Sequence, residues 1–123
     1  MATAAGALRL LESTEASVIV LEAEGDLDLQ TAPGLCVRLT VHRGGRVVLD
    51  LTRLRFCDSC GLRALVGEDR ETRARGGRQV VVAPAGGSAR RMFELTGVAE
   101  IIEVVESRAD ALARLLPLRA ALP

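Results

Sequence analysis

Short runs of aliphatic and β-branched residues recur along the chain at Val18–Leu21, Val47–Leu51, Val80–Ala83 and Ile101–Val105. Each has the length of a strand and is bounded by Gly, Pro, Asp or Ser. A weaker run, Leu8–Leu11, precedes them and fits a strand at a sheet edge. Between the runs the apolar spacing lengthens: Ala32, Leu35, Cys36 and Leu39; then Leu62, Leu65 and Val66; then Ala89, Met92, Phe93 and Thr96. Steps of three and four put one apolar stripe on each of three helices. A fourth helix is predicted over Ser107–Leu116, opened by Ser107 as N-cap and stopped by Pro117, which cannot extend it. Gly76-Gly77 and Gly97 stand where helices commonly close on a left-handed residue.

Strands alternating with helices define an α/β chain, and continuous Val/Ile/Leu strands suit a sheet covered on both faces. The expected architecture is a mixed, mostly parallel sheet of four to five strands packed by about four helices. At 123 residues, half of them apolar, one domain over residues 1–123 is expected, with a core from about 8 to 116 and loose ends. In such a sheet the loops leaving the carboxyl ends of parallel strands gather along one edge, where ligands and partners bind. Three loops are expected there: Gly25–Thr31, Thr52–Ser59 and Pro84–Ser88.

Charge and composition narrow the function classes. Sixteen basic and sixteen acidic residues cancel and are scattered, so no stripe attracts nucleic acid or an anionic bilayer. Trp and Tyr are absent and Phe occurs twice, which removes base-stacking platforms and aromatic cages. No run approaches the roughly 20 apolar residues of a membrane span, and the first residues lack a charged, apolar leader pattern. A cytoplasmic protein is expected, its three cysteines reduced.

The chemistry concentrates in Phe56-Cys57-Asp58-Ser59-Cys60-Gly61-Leu62, directly before a helical stripe. Ser59 falls at the helix start, where unpaired N–H groups and the dipole favour an anion such as a phosphate. Asp58 or Ser59 acting only as a helix cap explains the same spacing. Asp26 and Asp28 belong to a neighbouring loop, available either to a partner's arginine or to turns with their own backbone. As a pair they also suggest acid–base work or Mg²⁺ binding, but no nucleophile, His or phosphate loop accompanies them.

Gly25-Asp26-Leu27-Asp28 with Ala32, then Val48-Leu49-Asp50-Leu51, then Asp58-Ser59-Cys60-Gly61-Leu62, then Leu95-Thr96-Gly97-Val98 resemble, in order and spacing, the STAS family of anti-sigma factor antagonists. The resemblance spans roughly residues 8 to 116, and its most specific part is the Asp-Ser-small-Gly-Leu core. It implies a single STAS domain that is a binding module and not an enzyme. It implies Ser59 as phosphoacceptor, and a cognate serine kinase, itself the anti-sigma factor, that carries the ATP. The unphosphorylated form would bind that kinase and free the sigma factor, and a serine phosphatase would reset the switch. Asp26, Asp28, Asp58, Ser59, Cys60, Gly61 and Leu62 are the expected contact residues, with no cofactor or metal belonging to this chain; homodimerisation is compatible with the scheme. Cys60 departs from the family pattern, which usually has a second Ser or Thr there.

Rival readings of the same residues are a STAS scaffold in a transporter or stress-signalling complex with Ser59 unmodified, and a thiol redox protein using Cys57-x-x-Cys60 at a helix start. The redox reading lacks a thioredoxin-like context, with Pro84 the sole candidate for the required cis-proline. A zinc site from Cys36, Cys57, Cys60 and His42 is disfavoured: Cys36 and His42 fall on different helix faces, and His42 reads as a solvated residue before the Gly44-Gly45 turn. Gly86-Gly87-Ser88 matches no phosphate-loop pattern and reads as a turn and cap, and Arg90-Arg91 reads as a solvated helix face ahead of the alternative, a partner surface.

Overall fold

The computed structural model describes residues 7–116; Pro117 and both expected loose ends lie outside them. The chain runs β1 (Leu8–Glu15), β2 (Val18–Leu27), α1 (Ala32–Thr40), β3 (Arg46–Cys57), α2 (Ser59–Ala74), β4 (Arg78–Val82), α3 (Ser88–Thr96), a single 3₁₀ turn (Val98–Glu100), β5 (Glu103–Val105) and α4 (Arg108–Leu115). One sheet holds the strands in the order β1-β2-β3-β4-β5, with β1 antiparallel to β2 and every other pair parallel. The mixed, mostly parallel α/β architecture is therefore as expected from the hydrophobic pattern.

Period-two alternation along the strands sorts their side chains into two cores. Leu21, Leu49 and Val81 face α1, α2 and α3, where they join Leu35, Leu65 and Phe93, all fully buried. Val18, Val20, Val48, Val80 and Val82 face the other way and are covered by Ala111 and Leu115 of α4. Gly76 and Gly97 carry φ of 83° and 78° after α2 and α3, the left-handed closure expected of them.

Several boundaries differ from the expectation: β1 runs on to Glu15, β4 spans Arg78–Val82, and β5 starts at Glu103 and not at Ile101. The stretch Gly25–Leu27 completes β2 and Thr52–Cys57 completes β3, where loops were expected; β1 pairs Leu8 with Gly25, and β3 pairs Phe56 with Asp26. Outward-facing charges close this extension with Arg9–Glu24, Arg53–Glu22 and Arg55–Asp26 pairs at 3.7, 3.4 and 3.6 Å. Helix α2 also runs two turns past its apolar stripe, because Glu68 and Thr72 are buried on polar partners. Arg43 donates to Glu68 at 3.1 and 2.7 Å, and the Gly44 N–H donates to Thr72 Oγ1 at 3.0 Å.

Beyond α4's apolar contacts the second face is polar. Asp50, 5% exposed, accepts from Arg108 Nε and Nη2 at 3.2 and 3.0 Å and from Thr52 N and Oγ1 at 3.0 and 2.6 Å. Burial alone would raise the Asp50 carboxyl, but the hydrogen bonds from Thr52 and Arg108 outweigh it and hold it below its ordinary value. Its contribution to stability is present above the unfolded-state pKa and is lost as pH falls through the folded one. Arg108→Ala strands a buried carboxylate and should cost about 2–3 kcal/mol at neutral pH. Urea unfolding across a pH series checks this: the gap between variant and wild type should close on acidification, once Asp50 is protonated in both.

Candidate functional site

The first turn of α2 is built on the ends of β2 and β3. The Asp58 N–H donates to the Leu27 carbonyl at 3.1 Å, and Asp58 Oδ1 accepts from the Gly61 N–H at 2.9 Å as the helix N-cap. Gly61 is fixed by close approach: a Cβ there would lie 2.8 Å from both Leu27 Cγ and the Leu27 carbonyl oxygen, and 3.2 Å from Cys57 Sγ. With the turn seated by Asp58 and Gly61, Ser59 becomes the first residue of the helix and is exposed.

The residues expected to form a contact divide into an outer and an inner set. Ser59 is exposed and Cys60 half-buried, whereas Gly61 and Leu62 are buried and support the surface from beneath. Asp28 is committed locally: its Oδ1 accepts from Gln30 N at 2.9 Å, Thr31 N at 3.0 Å and Thr31 Oγ1 at 3.3 Å. That is the turn-forming alternative. Asp26 lies on β2 and not in a loop, and pairs with the chain's own Arg55 at 3.6 Å.

The structure adds neighbours that the sequence reading passed over. Leu29, 69% exposed, lines a groove between the start of α1 and α2 with Pro33, Cys36, Cys60 and Arg63. On the other flank, Ser59 shares a second groove with Arg63, Val66, Arg70 and Val98. A Leu in a polar turn and an Arg four residues past the serine are the sequence signals that mark these positions.

Other candidates resolve differently. Cys57 is 3% exposed at the end of β3, and burial, with a smaller push from the Asp58 charge, raises its thiol to about 12. A redox pair needs the opposite, an accessible thiolate; all three cysteines are free. His42 is not a solvated turn residue: its side chain is 18% exposed, with Nε2 3.2 Å from Glu12. No group of three potential metal ligands occurs among the described residues. Arg90 also departs from the expected solvated face, donating to the Ala83 carbonyl at 2.8 Å and pairing with Glu106 at 2.9 Å, while Arg91 is exposed. Gly86-Gly87 forms a turn closed by the Gly87 N–H on the Pro84 carbonyl.

The sequence profile of the STAS domain matches residues 11–111. The chain belongs to the STAS domain family. It is 34% identical over 83 residues to an anti-sigma-B factor antagonist of Listeria monocytogenes, an alignment covering 65% of this chain and 72% of that one. An anti-sigma factor antagonist from Mycobacterium paratuberculosis superposes with a TM-score of 0.72 at 27% identity, covering 89% and 94% of the two chains. The Bacillus cell fate determinant SpoIIAA in its phosphorylated form shares the fold, with a TM-score of 0.63 at 23% identity over 89% of this chain and all of that one.

In this STAS domain Gly61→Ala should cost about 1–3 kcal/mol, as overpacking against Leu27 forces α2 off the strand end; chemical denaturation measures the loss. Iodoacetamide applied to the native protein at pH 8 should leave Cys57 unlabelled until denaturant is added, read by mass spectrometry of the digest.

Proposed function

We propose that this STAS domain is an anti-sigma factor antagonist whose Ser59 edge binds a serine-kinase anti-sigma factor, releasing the sigma factor, and that phosphorylation of Ser59 switches the binding off. One observation carries the reading. Ser59 stands exposed at the first position of α2 on a turn held rigidly by Asp58 and Gly61. The named relatives, two of them anti-sigma factor antagonists above 25% identity, support the same class.

The division of labour follows from the site. Asp28 and Asp58 organise the two loops, Gly61 and Leu62 hold the helix against the sheet, and Ser59, Cys60, Leu29 and Arg63 present the surface. Asp26 contributes through its own pairing with Arg55. The chain provides the acceptor only: Ser59 Oγ attacks the γ-phosphorus of ATP held by the kinase, the Oγ–P bond forms, and the bond to the ADP oxygen breaks. The hydroxyl proton leaves to a base on the kinase, and a serine phosphatase later hydrolyses the ester. The proposed exchange is a cytoplasmic one, where the kinase finds its ATP. Among the described residues no helix is long and apolar enough to cross a membrane.

A phosphate adds roughly 1.5 to 2 negative charges at neutral pH. Desolvating that charge in an interface costs several kcal/mol, and each 1.4 kcal/mol is about tenfold, so a loss of about 100- to 1,000-fold in affinity is expected. Phosphopeptide mass spectrometry on protein from its native cells tests the switch: phosphate on Ser59 in wild type, with none on this peptide in Ser59→Ala, is the expected result. Ser59 unmodified through growth and stress conditions would remove the switch and leave an unswitched scaffold.

A further inference from the structure

Arginine is the chain's sole basic residue type beside one His, and most of its guanidinium groups are spoken for. Arg43 is held by Glu68, Arg78 by Glu103, Arg90 by Glu106 and Arg108 by Asp50. Among the described residues, Arg63, Arg70 and Arg91 make no ion pair and no side-chain hydrogen bond. Two of those three, Arg63 and Arg70, line the groove that Ser59 lines. The unpaired positive charge is therefore concentrated beside the proposed acceptor hydroxyl.

Their spacing separates their roles. Ser59 and Arg63 are four residues apart on α2, neighbours on one helix face, with the future anion on the N-terminal side as the favourable i,i+4 order requires. Arg70 lies on nearly the same face but about 16 Å farther along the axis, out of reach of a group on Ser59. The backbone alone offers a phosphate less than an open helix start does, because the Gly61 N–H is already donated to Asp58. Asp58 also sets a carboxylate beside the modified residue, so a dianion at Ser59 needs a nearby counter-charge.

We infer that Arg63 captures the phosphate on Ser59 within the same helix, so that phosphorylation both adds negative charge and withdraws the cation that the bare surface offers to a partner's carboxylate. The inference rests on Ser59 being the phosphoacceptor. It deepens that reading by naming the residue that receives the modification. In the unmodified form the groove presents two unpaired guanidinium groups over the apolar floor of Leu62, Val66 and Val98. In the modified form Arg63 is internally neutralised, and a carboxylate-bearing partner meets excess negative charge.

The test needs no kinase. Phosphoserine is installed at position 59 during synthesis, and the phosphate's second ionisation is followed by ³¹P NMR in wild type, Arg63→Gln, Arg63→Lys and Arg70→Gln. An exposed arginine can be replaced without loss of fold, which the unchanged far-ultraviolet circular dichroism of each variant verifies. From an ordinary second ionisation of about 6, capture should lower the wild-type midpoint relative to Arg63→Gln by about half a unit, roughly threefold in proton affinity. Arg63→Lys should recover part of that difference, and Arg70→Gln should titrate like wild type. Coincident titrations of wild type and Arg63→Gln, or an equal shift in Arg70→Gln, would overturn the capture while leaving a Ser59 switch intact. Absence of phosphate on Ser59 in cells would remove the switch and leave this titration unaffected, so the two failures are distinguishable.

Discussion

The seating of α2 on the end of β2 is the contact on which the rest of the site depends. A helix axis and a strand end approach this closely only where one residue has no side chain, and Gly61 against Leu27 is that place. Asp58 completes the joint from both sides of its own peptide, donating its N–H to the Leu27 carbonyl and accepting the Gly61 N–H on its carboxylate. The Asp-Ser-x-Gly spacing is then a mechanical requirement. The capping residue and the glycine face the protein, and the residue between them, Ser59, has nowhere to go but outward.

Around that joint the domain handles its many charges by pairing them across elements. The face under α4 changes along the strands from valines to Glu22, Asp50 and Arg108, so the apolar core gives way to a polar one where α4 begins. The far half of α2 is likewise held by Glu68 and Thr72 on the loop after α1, and not by aliphatic contact. Because arginine supplies these links with forked, always-charged groups, an arginine left without a partner stands out chemically. That contrast gives Arg63 its significance.

Most of the sheet was legible because its runs are strongly β-branched, and the helices because their stripes repeat at three and four. What escaped had identifiable causes. Leu21-Glu22-Ala23-Glu24-Gly25-Asp26-Leu27 does alternate with period two, but Gly-Asp is also turn punctuation, and local reading favoured the turn over the strand that β1 and β3 enforce. In β3 the buried positions Leu51, Leu54 and Cys57 fall three apart, a spacing that no strand template matches once its register against β2 shifts. The later turns of α2 have no apolar signal to find. At the site, Ser59 and Asp58 were readable from spacing and resemblance, whereas Leu29 and Arg63 carry only faint local signals, since their meaning comes from what α1 and α2 bring side by side. Asp26, read as a loop residue, lies on β2, where Arg55 on the adjacent strand pairs with it, a neighbour that only the strand register reveals.

The switch proposed for Ser59 alters the surface and spares the fold. Ser59 has exposed solvent on its outer side and a fixed cap behind it, so a phosphate has no core to disrupt and no helix to melt. Its free energy must then appear in the complex, where the same charge loses its water. A rigid presenting turn strengthens that effect, since a flexible one would swing the phosphate out of the interface for a small entropic cost and blunt the response. Under the proposed switch, the cap and the glycine that hold the turn belong to the regulation as much as to stability, because they fix where Ser59 stands.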